Sequence, residues 1–360
     1  MPARTKTKSL RRALLAWFDR NQRNLPWRRT RDPYRIWLAE IMLQQTRVPV
    51  VIPYYRRFLR AFPTVRRLAA ARGERILAVW AGLGYYQRAR NLHRAASLIV
   101  RNHRGRFPTT LETALRLPGI GPYTARAILS IAYGQPHAVV DGNVARVLAR
   151  LFRIRLKDSP SARASLQPLA NRLVSPARPG DFNQALMELG STICLPRLPR
   201  CPACPLATLC AARRAGIENS WPPRTSRRPR PRRRLAVLVL RRHGRLLITR
   251  ERRGVFSGLW HFPYARSRNG RSLPPSLVAL AARFRAQLYS PQPVLRIQHA
   301  MTAGDLDLSV FVGSAHRKEK PPGARWVSPH RLQRVGVGAG TRKIAEALRG
   351  EKHSVYDGAA

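Results

Sequence analysis

The segment from Ile217 to Arg234, IENSWPPRTSRRPRPRRR, sets the first limit on how this chain can fold. Proline lacks a backbone donor and fixes φ, and seven arginines between 224 and 234 repel one another, so the segment reads as an extended linker. The hydrophobic pattern changes period across it. Upstream, Leu10–Asp19, Tyr34–Arg47, Val50–Ala61 and Thr110–Arg116 carry apolar residues at helical spacing, with Pro and Gly at the joins. Downstream, RLAVLVLRRHGRLLITRER reads as two strands around a His243-Gly244 turn. A helix over Ser276–Leu288, strands over Val294–His299 and Leu306–Val312, and a last helix over Thr341–Leu348 follow. The expected organisation is an all-α domain over 1–215, a linker over 216–234, an α+β domain over 235–350 and a tail over 351–360.

Charge narrows the class of partner. Sixty-eight Lys and Arg face 17 Asp and Glu, a net charge of +51. The preference for Arg over Lys fits a codon bias, but the scarcity of acids does not follow from one. A chain this cationic is expected to meet a polyanion, nucleic acid first of all, with the linker lying along phosphate. No run of eighteen apolar residues is present, so no membrane-spanning helix is expected. The N-terminus lacks a signal-peptide pattern, and the expected setting is the cytoplasm, at the nucleoid, as a monomer.

All four cysteines fall within seventeen residues, at Cys194, Cys201, Cys204 and Cys210, spaced C-x6-C-x2-C-x5-C. Four thiolates suit either zinc or an iron–sulfur cluster. Zinc sites favour two short-spaced pairs, and gaps of six and five around one short pair favour the cluster.

Two carboxylates stand out because acids are so rare. Glu40 lies in the apolar stretch PYRIWLAEIMLQQTRV, where helical spacing would put Glu40, Leu43, Gln44 and Arg47 on one stripe. Apolar surroundings raise a carboxyl pKa, so Glu40 is expected to hold a proton and donate it. Asp141 precedes the helical pattern GNVARVLARLF and reads as its N-cap, a place that favours a low pKa and an ionised side chain. One acid protonated and one ionised is the pattern for splitting a glycosidic bond. Between them lies LPGIGPYTARAIL, Leu117–Leu129, where Gly119 and Gly121 permit a tight turn before a helix opened by Pro122. Such a turn offers backbone amides to a DNA phosphate.

Taken together these stretches resemble the endonuclease III superfamily of base-excision DNA glycosylases. Leu117–Leu129 resembles its helix–hairpin–helix, within 110–130, and 194–210 its iron–sulfur loop. LAEIMLQQT, AGLGYYQRARNL (Ala81–Leu92), LPWR (Leu25–Arg28) and FNQALMELG (Phe182–Gly190) resemble the adenine glycosylase branch, the MutY family. The resemblance implies a structural [4Fe-4S] cluster on Cys194, Cys201, Cys204 and Cys210. It implies catalysis by Glu40 and Asp141, supported by Tyr123 and Asn143. It places Trp27, Arg28, Leu43 and Glu188 around adenine, and Arg28, Gln44, Gln45, Tyr85, Leu117, Gly119 and Gly121 at DNA, with Tyr85 wedging into the duplex. Tyr123 stands where bifunctional relatives carry a Schiff-base Lys, so the expected activity is monofunctional; thymine-specific relatives also carry Tyr there. The implied substrate is double-stranded DNA with adenine opposite 8-oxoguanine or guanine.

The second domain of that family has a Nudix-like fold, and RERRGVFSGLWHFP (Arg250–Pro263) resembles part of it. No acid occurs between Glu251 and Asp305, which argues against magnesium-dependent pyrophosphatase chemistry. Where the family commonly shows Phe-Ser-His at the 8-oxoguanine, this chain has Met301-Thr302-Ala303. Met301 keeps an apolar wedge and Thr302 a hydroxyl, without the His.

Overall fold

The computed structural model describes residues 3–156, 159–223, 231–251, 254–256, 258–301, 304–316, 323–332 and 335–350. The core of the expected linker, 224–230, and the tail, 351–360, lie outside the described residues. The chain forms two compact units, Met1–Ala70 with Arg90–Arg227, and Ala71–Ala89 with Arg228–Ala360. Residues 71–89, expected within the helical domain, therefore group with the C-terminal part.

The helices before the linker are α1 (Ala3–Asn21), α2 (Pro33–Leu43), α3 (Val48–Ala61), α4 (Val65–Ala69), α5 (Gly73–Trp80), α6 (Tyr86–His103) and α7 (Leu111–Leu115). They continue as α8 (Pro122–Tyr133), α9 (Gly142–Leu151), α10 (Pro160–Ala164), α11 (Gln167–Leu173), α12 (Pro179–Thr192) and α13 (Ala211–Arg214). In the first unit α2 packs on α8, and α12 packs on α1, α8 and α9. Asp32 caps α2 by accepting from the Tyr34 and Arg35 amides, with Pro33 at the first turn. From Ile36 to Met42 every residue of α2 is buried, so Glu40 sits inside an otherwise apolar helix. The helix stops at Leu43, short of the expected Arg47. Gln44 is extended and Gln45 turns left-handed at φ 56°, which takes Arg47 off the expected stripe.

Asn183 on α12 fixes the chain that leads into α9. Fully buried, it accepts from the Val139 amide at 3.1 Å and donates to His137 O at 2.7 Å and Ser130 Oγ at 2.9 Å.

The second unit is built on β1 (Arg232–Arg242), β2 (Arg245–Arg250), β3 (Trp260–His261), β4 (Tyr264–Arg266), β5 (Gln287–Leu288), β6 (Leu295–Met301), β7 (Gly304–Ser314) and β8 (Ala324–Val327). Its helices are α14 (Pro275–Arg283), α15 (Pro329–Leu332) and α16 (Ala339–Gly350). Among the described residues these strands form one mixed sheet in the order β3-β2-β1-β7-β5, with β8 on β2, β4 on β1 and β6 on β7. β1 and β7 run parallel, from Arg232 opposite Asp305 to Arg241 opposite Ser314. Apolar residues cover both faces of β1, which explains its unbroken hydrophobic run. Leu235, Val237 and Val239 join one core with Ile344 and Leu348 of α16; Ala236, Leu238 and Leu240 join the other with Leu277 and Phe284 around α14.

The expected β1–β2 hairpin is present, with His243 at φ 42° and Gly244 at φ 65° in its turn. Two boundaries differ from expectation. Arg232–Arg234, read as linker, already pair with Asp305–Asp307. The helix expected to reach Leu288 ends at Arg283, because Arg285 turns left-handed at φ 47° and Gln287–Leu288 then pair with β7.

Replacing Asn183 by Ala strands two buried groups at once, the Val139 amide and the His137 carbonyl. The variant should lose about 3 kcal/mol of stability, read as a lower urea midpoint with unchanged slope.

Candidate active site

A cleft of about 490 Å³ opens in the first unit among α2, α8, α9 and α12. Its lining includes Trp27, Arg28, Glu40, Leu43, Tyr123, Asp141, Asn143 and Glu188, so residues assigned to catalysis and to adenine come together in one place. Arg47 reaches the same cleft from beyond the end of α2, although not by the helical stripe expected of it.

Glu40 is 6% exposed. Burial pushes its pKa up to about 7; the Tyr123 hydroxyl, as a hydrogen-bond partner, pulls it down, and the charge of Asp141 adds to the rise. Tyr123 enters on the first turn of α8, and its hydroxyl also lies 3.0 Å from Met187 Sδ. Asp141 caps α9, accepting from the Val144 amide at 2.7 Å and from Asn143 Nδ2 at 3.3 Å. Its pKa nevertheless lies above the ordinary value, not below it as the cap alone predicts. Burial outweighs the hydrogen bonds from Val144 and Asn143 and the charge of Arg146. Asn143 is itself held, accepting from Arg146 Nη2 at 2.9 Å. Gly190 makes room for it, since a Cβ there would stand 2.7 Å from Asn143 Cβ.

Glu188 closes the other side of the cleft, on the α12 stripe Gln184, Met187, Glu188 and Ser191. Arg23 grips both its oxygens, at 2.6 and 2.8 Å, and Arg28 Nη2 donates to Oε2 at 2.8 Å. Burial pushes the Glu188 carboxyl up, but the hydrogen bonds and charges of Arg23 and Arg28 outweigh it and leave the pKa lowered. Trp27 stands edge-on to Tyr55, 5.4 Å between centroids. Arg23 and Met187 escaped the sequence reading. Nothing marks Arg23 among so many arginines, whereas Met187 at least adjoins Glu188 within FNQALMELG.

The residues expected at DNA fare unevenly. Gly119 is left-handed at φ 80° and makes the turn before α8; any Cβ there would meet Asn91 Cβ at 2.8 Å. Gly121 has extended backbone and nothing within 4 Å of its missing Cβ, so it keeps the approach open and needs no unusual φ. Neither glycine amide meets a backbone acceptor among the described residues outside regular elements. Leu117 buries its side chain, its amide donating to Ala114 O and its carbonyl accepting from Ile120; it shapes the turn and offers no side-chain contact. Gln44 donates to Thr124 Oγ1 at 3.3 Å, and Gln45 is exposed. Tyr85, in the second unit, is 40% exposed at φ 51°. Met301 ends β6 opposite Gly304, and Thr302 lies outside the described residues.

The four cysteines follow α12 and frame two 3-10 turns before α13. Burial raises the Cys204 thiol to about 11, and the other three cysteines push it the same way, against a hydrogen bond from the Leu206 amide. Mutually repelling thiolates are a donor set that a cationic cofactor core would compensate. Among the described residues no three His, Cys, Asp or Glu side chains close on one ion-sized point. Arg150 braces the loop, donating to Leu195 O at 2.6 Å, Trp221 O at 2.8 Å and Cys194 Sγ at 3.3 Å.

Glu40 and Asp141 thus share one largely apolar cleft, with the Gly119–Gly121 turn leading into the helix that carries Tyr123. Residues 38–170 match the HhH-GPD superfamily of base excision DNA repair proteins, and residues 236–347 match the NUDIX domain. Two solved structures share the helical fold over 60% of this chain. A thermostable thymine-DNA glycosylase is 31% identical with a TM-score of 0.55 and is covered completely. An endonuclease III–DNA covalent intermediate is 22% identical with a TM-score of 0.52, also covered completely. The adenine DNA glycosylase of Homo sapiens is 34% identical over 411 residues, spanning 96% of this chain and 74% of the human one. The chain belongs to the adenine DNA glycosylase family, enzymes that act on N-glycosyl bonds.

Glu40 makes stability depend on pH in a stated direction. Its folded-state pKa lies above the unfolded value, so the folded chain keeps this proton between the ordinary carboxyl range and about 7. Stability from this group falls as pH rises through that window and stays lost above it. Glu40→Gln should therefore gain on the parent chain as pH rises, by about 3 kcal/mol once past the window. Denaturant titrations near pH 5 and near pH 8 measure the difference.

Proposed function

We propose that this chain removes adenine mispaired with 8-oxoguanine or guanine in double-stranded DNA, hydrolysing the N-glycosidic bond and leaving an abasic site. The observation that carries the reading is the carboxyl pair across the cleft. Glu40 is buried with its pKa near neutrality, and Asp141 is fixed by Val144 and Asn143 at the start of α9. With an adenine flipped into the cleft, Glu40 donates its proton to N7 of the purine. The bond from C1′ to N9 then breaks, with its electron pair leaving on the adenine. Asp141, as the anion, faces the positive charge that develops on the sugar. Tyr123 and Asn143 hold the two carboxyls in place. Water adds to C1′ and gives its spare proton to a carboxylate, which restores the site. Glu188, locked by Arg23 and Arg28, presents a fixed edge to the base. With Tyr at 123 no lysine is available there for a Schiff base, so the strand is left uncut.

Cys194, Cys201, Cys204 and Cys210 are the residues that would hold a [4Fe-4S] cluster. When bound, it supplies structural order to the loop and takes no part in breaking the bond. The expected setting is the cytoplasm, on DNA, as a monomer. The thymine-specific reading is less favoured because the thymine glycosylase match covers 60% of this chain, whereas the adenine glycosylase match runs through the NUDIX region as well.

Single-turnover assays on duplexes with adenine opposite 8-oxoguanine and opposite guanine test the substrate directly. Adenine release is expected from both, slowing as pH rises through about 7, the value to which Glu40 is raised. Glu40→Gln should slow release at least about 1,000-fold. Thymine release, or no release from either duplex, would sink the proposal. Iron and sulfide analysis of the purified chain should give about four of each per chain, and stoichiometric zinc instead would overturn the cluster.

A further inference from the structure

The segment Ala71–Ala89 belongs to the second compact unit and carries Tyr85. Its backbone there is unusual: Gly82, Gly84 and Tyr85 have φ of 100°, 79° and 51°. Glycine tolerates this region, but a tyrosine keeps it only where neighbouring contacts over-determine it. Some of those contacts lie within the segment. Trp80 Nε1 donates to Gly84 O at 2.9 Å, and the Arg88 amide donates to Tyr85 O at 2.8 Å. The Arg88 guanidinium lies 5.0 Å from the Tyr85 ring centroid and 5.5 Å from that of Trp80.

A further tie leaves the segment through Tyr86. Its side chain is buried, and its hydroxyl accepts from the Gly82 amide at 3.2 Å while donating to Val337 O at 2.8 Å. One oxygen thus closes the turn beneath Tyr85 and fastens it to a residue 251 positions along the chain. The receiving end is itself held by contacts. Trp260 of β3 donates its amide to Gly336 O at 3.0 Å and bridges to Val337. Gly336 presses on α5 so closely that a Cβ would stand 2.9 Å from Leu77 Cβ. The ion pair from Arg250 to Glu74, 3.3 Å and exposed, adds little beside these contacts.

We propose that Tyr86 is a positioning residue for base excision: its hydroxyl holds Tyr85 in the left-handed conformation that wedges into DNA and ties that conformation to residues 335–337 of the Nudix-like part. The proposal rests on reading Tyr85 as the wedge. Tyr86 acts through its neighbour and makes no contact with the base.

The test uses the full cluster-loaded chain, with Tyr86→Phe, Tyr85→Ala and the double variant. Hydrogen–deuterium exchange reports the tie itself, and the affinity ratio between a duplex with adenine opposite 8-oxoguanine and a fully paired duplex reports the wedge. In Tyr86→Phe, amides 82–86 should exchange about tenfold to thirtyfold faster, the order that the two lost hydrogen bonds produce, while α8 and α12 keep their rates. The affinity ratio should fall by a similar factor, and the double variant should be no worse than Tyr85→Ala, because both changes remove one action. Gly336→Ala, which presses on the tie from its other end and keeps both tyrosines, should move exchange and ratio the same way, and it decides the matter if Tyr86→Phe fails to fold. Unchanged exchange in Tyr86→Phe overturns the tie. Faster exchange with an intact ratio, where Tyr85→Ala loses it, overturns the positioning role. An intact ratio in both single variants overturns the wedge reading and takes this proposal with it.

Discussion

The burial of one carboxyl group is the constraint around which the cleft of this chain is built. Glu40 occupies a helix whose other buried positions are apolar, and removal from water makes its neutral form the stable one near neutrality. The elements around the cleft act on that state in both directions, the charge of Asp141 favouring it and the hydrogen bond with Tyr123 opposing it. α8 brings Tyr123 against the carboxyl, α9 holds Asp141 close enough for its charge to be felt, and α12 supplies Met187 behind the Tyr123 hydroxyl. The arrangement withdraws stability as pH rises through about 7, a cost that the function proposed above would repay with a ready proton donor.

Acids here are placed by the arginines around them. Glu188 is also almost fully buried, yet it is driven to the charged form because Arg23 and Arg28 reach it with direct hydrogen bonds. Glu40 has no such arginine at hydrogen-bond distance among the described residues, and it keeps its proton. Two glutamates in one cleft are therefore driven opposite ways, Glu188 towards the anion and Glu40 towards the neutral acid, through the difference in their neighbours.

Much of this was legible in the sequence, and the limits have physical reasons. Glu40 stood out because a lone acid in PYRIWLAEIMLQQTRV has few explanations, and the cysteine spacing stood out as one compact loop, although its side chains close on no ion-sized point among the described residues. The end of α2 was not legible, since Gln45 is an unremarkable helix residue and nothing in its side chain marks the left-handed turn it makes. Asp141 was legible as a cap, but a cap says nothing of burial, and burial decides its pKa. Arg23 could not be singled out in a chain with so many arginines, because an ion pair is specified by distance, which a one-dimensional pattern does not carry. The grouping of 71–89 with the C-terminal unit was hidden for the same reason, since it depends on contacts with residues near 336.

That discontinuity also has a timetable. A chain leaving the ribosome exposes its N-terminal residues first, and helices can form as they emerge. α2, α8, α9 and α12 have all emerged once Thr192 is out, so the cleft has its full set of walls while the strands are still unmade. Residues 71–89 must wait for Val337 before Tyr86 finds its carbonyl. Closing a loop of that length adds only a little entropy beyond a shorter one, yet it cannot begin before synthesis has nearly ended. A truncated product stopping before Val337 would thus have a complete cleft with its tyrosine turn untethered.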